Sequence, residues 1–243
     1  TLTQSSFAAA SEKRLADKSF KQLLDESAAK IDQFWENSDV ELSGDATLAK
    51  GIRFNLFHLY QAAGSDGLTS IPAKGLTGPG YEGHYFWDAE MFMLPYFIYT
   101  EPAIARQLLL YRYHTLPQAQ HRAREMAVDN GVMFPWRTIN GEEASSYYPA
   151  GTAQVHINAD IAYAVDTYVR VTGDDDFLTD YGYEIIIKTA RFWLAYGHWA
   201  TDDAHQGKFV IDDVTGPDEY TAMVSNNYFT NRMAQNNLSI AVK

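Results

Sequence analysis

Cysteine is absent from all 243 residues. That excludes disulfides, thiolate metal sites and cysteine nucleophiles, and it fits a reducing compartment. No apolar run approaches the roughly 18 to 20 residues of a membrane span. The opening Thr1-Leu2-Thr3-Gln4-Ser5-Ser6-Phe7 has no basic head followed by an apolar stretch, so nothing marks export or insertion and the cytoplasm is the expected location. Positive charge is scarce as well. With 19 Lys and Arg against 31 Asp and Glu, the formal charge is -12, which repels phosphate backbones and anionic lipid and argues against nucleic acid and membrane surfaces as partners. A neutral, hydroxylated substrate would be indifferent to it. What the chain does have is 46% hydrophobic and 14% aromatic content, enough to bury a substantial core.

Strand patterning is also nearly absent, and the dominant period is helical. Apolar residues Leu15, Phe20, Leu23, Leu24, Ala28, Ile31, Phe34 and Trp35 recur at helical spacing over 6–37, the stripe of one long amphipathic helix. A second helix is expected over 45–63, with Gly64 closing it in the left-handed conformation. Further helices are expected to open at Trp87 or Asp88, after the Thr100 hydroxyl with Pro102 in the first turn, at Asn158 to Asp160 and ending at Gly173, and at Asp174 to Asp176. Pro117 should break the helix that resumes at His121. Another helix is expected from Asn226 to Val242. Only 208–214, with Phe209, Ile211 and Val214, alternates like a strand. Such a pattern makes the fold all-α, built of paired helices. Three long loops, 64–83, 129–153 and 201–225, fall at corresponding places between helix pairs, so they should gather at one end and carry function.

Several motif matches lack the context their chemistry needs. Gly78-Pro79-Gly80-Tyr81-Glu82-Gly83 fits a dinucleotide fingerprint, yet no apolar strand precedes it. The seven histidines form no H-E-x-x-H, so no metal is expected. Ser145, Ser146 and Ser225 sit in no nucleophile elbow. Asn237-Leu238-Ser239 is a formal glycosylation sequon.

Three groups carry more weight. Glu219, in Gly216-Pro217-Asp218-Glu219, reads either as a solvated acid beyond a β-turn with proline at its second position, or as a general acid. Its setting favours the second: it follows the strand-like segment and is flanked by Tyr220, Asn226, Asn227 and Asn231, a semi-apolar, hydrogen-bonding neighbourhood suited to protonating a departing glycosidic oxygen. Trp87 and Asp88 read either as core filler and helix cap, or as an aromatic platform for a sugar ring beside an acceptor for paired hydroxyls. Trp136, Arg137, Glu142 and Glu143 repeat the mixture of aromatic and charge in a polar loop, as either a solvated surface or further substrate contacts. Gln154, His156, Asn158 and Asp160 read as residues at the start of a helix.

At Gly-His-Tyr-Phe-Trp87-Asp88-Ala-Glu, Leu-Leu-Leu-Tyr-Arg-Tyr-His114-Thr-Leu, Phe-Pro-Trp136-Arg137-Thr, His156-Ile-Asn-Ala-Asp160-Ile-Ala-Tyr and Val-Thr-Gly-Pro-Asp-Glu219-Tyr, the chain resembles glycoside hydrolase family 65. That family comprises the maltose, trehalose, kojibiose and nigerose phosphorylases with the related acid trehalases. The resemblance implies an (α/α)6 barrel, with 1–44 as a helical linker and 45–243 as the first half of the catalytic barrel. It makes Glu219 the general acid and gives Trp87 and Asp88 the glucose subsite. It places the loop 140–151 near the acceptor, so Trp136, Arg137, Glu142 and Glu143 are candidate substrate contacts.

The family's Lys-Gln pair, its phosphate-binding residues and its upstream β-sandwich have no counterpart here. The chain is therefore expected to be a fragment, inactive alone. The expected reaction of the intact protein is inverting phosphorolysis of an α-glucosyl disaccharide, maltose first, giving β-glucose 1-phosphate and a free sugar. Inorganic phosphate is the co-substrate, no cofactor is required, and the family implies a homodimer. An inverting hydrolase of the acid trehalase type and a non-enzymatic helical scaffold are the alternatives.

Overall fold

The computed structural model of the chain describes residues 9, 11–13, 15, 18–145 and 148–243. It divides into two compact units, 1–53 and 54–243. In the first unit, helix α1 (Phe20–Ser38) opens at a capping box in which the Ser19 side chain and Gln22 satisfy each other's backbone N–H groups. The single helix expected over 6–37 is thus interrupted at residues 18 and 19, and much of its first part lies outside the described residues. Phe34 and Ser38 are buried, whereas Leu15, Phe20 and Leu24 on the expected stripe are exposed. Arg53 joins Asp39 at 3.2 Å and lies over the Trp35 ring at 4.6 Å, a cation–π contact.

Helix α2 (Ala46–Ala62) begins where Asp45 Oδ1 accepts the N–H groups of Thr47 and Leu48. Gly64 does not close it in the left-handed conformation. A Cβ there would stand 2.2 Å from the Thr69 carbonyl oxygen, so glycine answers a close backbone approach from five residues downstream.

The second unit continues with a π turn (Ala89–Met93) running into α3 (Leu94–Thr100), then α4 (Pro102–His114) and α5 (Leu116–Glu125). Thr100 caps no helix, since its hydroxyl donates back to the Tyr96 carbonyl at 2.8 Å. Pro117 lies in the first turn of α5, where its missing N–H costs nothing. The break falls at Thr115, two residues earlier than expected. Helix α6 (Ile157–Thr172) ends at Gly173 in the expected left-handed conformation. A helical turn capped by Asp174 and a π turn (Leu178–Gly182) lead into α7 (Tyr183–Tyr196), and α8 (Tyr228–Ala241) is capped by Asn227. The strand-like stretch contributes only β2 (Phe209–Val210), antiparallel to β1 (His198–Trp199).

Helix α6 is the hub: α3, α4, α7 and α8 all pack on it, and nine of its residues are buried. One apolar cluster joins Phe97, Leu109, Ile161, Val165 and Ile185, and a second joins Ala159, Phe192, Trp193, Val214 and Ala234. Between α7 and α8 the buried Asn237 accepts the Trp193 indole N–H at 2.9 Å and donates to the Ile186 carbonyl at 3.4 Å. The secondary structure is the all-α class expected from the sequence. No described helix is long and apolar enough to cross a membrane.

Candidate active site

The three long loops meet at one cavity of about 590 Å³ in the second unit. Loop 64–83 supplies Lys74 and Tyr81, loop 129–153 supplies Trp136 and Tyr148, and loop 201–225 supplies Pro217 and Glu219. Phe86, Trp87 and Asp88 close it from the start of the π turn. An antiparallel bridge between Tyr85 and Thr138, with N–H to carbonyl bonds of 2.7 and 3.2 Å, ties the segment just after the first loop to the second.

Its walls are aromatic. Tyr81 meets Phe86 edge-on at 5.2 Å, Phe86 meets Trp136 at 5.2 Å, and Trp136 meets Tyr148 at 5.3 Å. Such tilted contacts suit the ring quadrupole. Gly151 makes the last pair possible, because a Cβ at that position would fall 2.7 Å from the Trp136 ring and 2.8 Å from Tyr148.

Trp87 is only 9% exposed, so it fills core and faces the cavity at once. Behind it lies His156, whose ring meets the indole edge-on at 4.9 Å. His156 Nδ1 is 2.6 Å from Asp160 Oδ2 in a fully buried pair, and desolvation raises the Asp160 carboxyl above the usual aspartate range, although its bond and attraction to His156 oppose the rise. On the same π turn, Glu90 takes a bidentate ion pair from the buried Arg112 of α4 at 2.7 and 2.8 Å. The Trp87-Asp88-Ala89-Glu90 run therefore gives its first two residues to the cavity and its last two to the core.

Asp88 stands before the π turn with no side-chain capping bond, so the helix-cap alternative fails. Its side chain opens to the cavity. Desolvation by the surrounding protein raises its pKa, a bond from its own backbone N–H opposes this, and the charge of Glu219 raises it further. The Glu219 charge thus reaches Asp88 across the cavity.

Glu219 rides on a short hairpin. Val214 and Val224 pair through both backbone bonds, Gly216 N–H donates to the Thr221 carbonyl at 2.9 Å, and Thr221 N–H closes a turn on the Asp218 carbonyl at 2.8 Å. The turn therefore spans Asp218 to Thr221, two residues beyond the register expected from Pro217, because the cross-strand pairs set the position of the tip. Gln154 Nε2 donates to Glu219 Oε1 at 3.1 Å, and the Tyr148 hydroxyl donates to the Glu219 carbonyl at 3.4 Å.

Arg137, Glu142 and Glu143 do not line this cavity. Glu143 accepts the backbone N–H groups of Trp136 at 2.8 Å and Arg137 at 3.2 Å, which holds the Trp136 wall from behind. The Arg137 guanidinium is buried, pairs with Glu82 and donates to the Tyr81 carbonyl at 3.4 Å, fixing the first loop. Glu142 bonds with Asn140 and, with Glu143, lines a separate cavity of about 440 Å³ beside Gln118, His121 and Arg122. Ser146 and Tyr147 of the 140–151 loop lie outside the described residues.

The four polar residues 154, 156, 158 and 160 do more than start a helix. Gln154 reaches Glu219, His156 and Asp160 stand behind Trp87, and Asn158 holds the second loop through Phe134 N–H at 3.0 Å and the Val132 carbonyl at 2.7 Å. Their even spacing in polar residues, next to a buried helix, was the available signal.

Fold and cavity together define an all-α protein with an acidic cleft walled by aromatic rings. The family model for the glycosyl hydrolase family 65 central catalytic domain matches residues 53–243, and the chain belongs to that family. It is 56% identical over 230 residues to the alpha,alpha-trehalose phosphorylase of Geobacillus stearothermophilus, covering 95% of this chain and 29% of that protein. It is 41% identical to the kojibiose phosphorylase of Halothermothrix orenii, covering 93% of this chain and 30% of the relative. The solved structure "Putative kojibiose phosphorylase from human microbiome" superposes with a TM-score of 0.89 at 34% identity, over 98% of this chain and 31% of the other. The chain thus spans less than a third of the length of these relatives. Its fold is that of the first half of an (α/α)6 barrel with linker helices before it.

Proposed function

We propose that a full-length protein carrying this chain cleaves an α-glucosyl disaccharide by inverting phosphorolysis, releasing β-glucose 1-phosphate and a free sugar. The observation that carries the reading is the cavity on which Trp87, Asp88, Trp136 and Glu219 converge from separate segments. In it, the Trp87 indole offers a face to the glucose ring, Asp88 accepts paired hydroxyls, and Glu219 protonates the leaving glycosidic oxygen. Phosphate attacks the anomeric carbon from the opposite side, so no carboxylate base is needed. Trp136 with Tyr148 forms the acceptor side; Glu143 supports it by holding Trp136 from behind, Arg137 by fixing the facing loop 64–83, and Glu142 by its bond with Asn140 in the same loop.

Residues 1–44 serve as linker helices and 45–243 as the first half of the barrel, a piece without activity of its own. The same reading takes inorganic phosphate as co-substrate without a cofactor or metal, a homodimer, and a cytoplasmic setting. Trehalose replaces maltose as the favoured substrate, since two relatives more than half identical carry the name alpha,alpha-trehalose phosphorylase. Kojibiose follows at 41%.

Incubation of the full-length protein with trehalose should yield glucose 1-phosphate and glucose only when phosphate is present. Two free glucose molecules without phosphate would instead mark a hydrolase. Glu219→Gln should lower kcat by about a hundredfold or more, the usual scale of general-acid catalysis.

A further inference from the structure

Gln154 is 2% exposed, yet its side chain reaches the one acid on which the proposed chemistry turns. Its Nε2 lies 3.1 Å from Glu219 Oε1, and its own Oε1 has no hydrogen-bond partner among the described residues. The backbone around it is pinned: Gln154 N–H donates to the Gly151 carbonyl at 3.1 Å, and Thr215 N–H of the Glu219 hairpin donates to the Ala153 carbonyl at 3.0 Å. Donor and acid therefore hang from one frame. Glu219 is itself exposed, and a long carboxylate side chain without an anchor would sample several rotamers.

We propose that Gln154 is the positioning residue of the general acid, holding Glu219 Oε1 so that the proton resides on Oε2, the oxygen left to face the glycosidic bond. The inference rests on the phosphorolysis reading for its nucleophile, not for its acid. As the glycosidic C–O bond breaks, its electron pair stays on the leaving oxygen, and the Oε2 proton transfers to that oxygen. A phosphate oxygen forms the new bond to the anomeric carbon, and Glu219 is left as a carboxylate. The N–H donated by Gln154 becomes charge-assisted in that step and so strengthens towards the transition state. An interaction of this kind lowers kcat when removed and leaves KM nearly unchanged.

The test compares two donors in the full-length protein with phosphate present: trehalose, whose leaving group needs a proton, and α-glucosyl fluoride, whose leaving group does not. Gln154→Leu, of similar volume and with no donor, should lower kcat on trehalose about tenfold or more, with KM within about twofold and with the fluoride rate kept. A retained fluoride rate also shows that the variant is folded. Gln154→Glu, which is isosteric, should show the same split. Unchanged kcat on trehalose, or equal losses on both donors in both variants, would overturn the assignment. Wild-type release of two glucose molecules without phosphate would defeat the phosphorylase reading alone, because the donor comparison then runs with water as nucleophile. A wild-type protein inert on both donors would defeat both readings.

Discussion

Asp88 sits where its charge is costly. Desolvation and the negative charge of Glu219 hold its folded pKa above the ordinary aspartate value, with only its backbone N–H pulling the other way. Its contribution to stability is therefore fully present below about pH 3.9 and is lost as pH rises through the raised folded value. Asp88→Asn should remove that loss. Urea midpoints are expected to show the variant gaining on the wild type between about pH 3.5 and 7, while turnover falls. A gap that stays constant with pH would count against the electrostatic account.

At the scale of elements, the junction between α6 and the turn before α7 depends on one side chain. Desolvation would raise the Asp174 carboxyl, but the Tyr168 hydroxyl at 2.7 Å, Phe177 N–H at 2.9 Å and Arg106 at 3.1 Å outweigh it and hold the pKa low. Asp174→Ala removes a helix cap and should cost about 1–2 kcal/mol, read as a lower denaturation midpoint. Asp174 stabilises above the ordinary aspartate pKa and loses its effect as pH falls through the lowered folded value, so the difference between wild type and variant should shrink in acid.

This cap and the Gly173 helix end could be read from sequence because both causes are local, within three or four residues. The left-handed Gly64, the Thr100 cap and the turn at Pro217 expected from the sequence do not form. At Gly64 the close approach of the Thr69 carbonyl decides, at Thr100 the equally local Tyr96 carbonyl outcompetes the cap, and at Pro217 the Val214–Val224 pair sets the register. The same division runs through the cavity. Aromatic and acidic neighbours made Trp87, Asp88 and Glu219 stand out, whereas the tie from Gln154 to Glu219 crosses 65 residues of chain and has no local signature. Arg137 and Glu143 matched the chemistry of substrate contacts, and their hydrogen bonds turn them towards the backbone of the loops instead.

For the whole molecule, the cavity floor and the helical core share their buried charges. Arg112 and Glu90, both at most 4% exposed, tie α4 to the turn that presents Trp87 and Asp88. Arg112→Met leaves a buried carboxylate without its partner and should cost about 3–5 kcal/mol. Adding Glu90→Leu should recover much of that loss, because an apolar pair of similar volume removes the unpaired charge. Thermal melts of the two variants check this, and a double variant no more stable than Arg112→Met would show that the pair does more than neutralise itself. Glu90 lies three residues from Trp87, so the double variant should fold and, on the proposed reading of Trp87 and Asp88, bind sugar less well.

The amide of Asn237 is enclosed between the Trp193 indole and the Ile186 carbonyl, and it is also the acceptor of the chain's Asn-Leu-Ser sequon. In a yeast or mammalian secretory host, an oligosaccharide could be attached there only before α7 and α8 close, and its bulk would then hold them apart. Secreted preparations should accordingly divide into native material without a glycan and retained, misfolded material that carries one, a division visible as an endoglycosidase-sensitive band confined to the cell pellet.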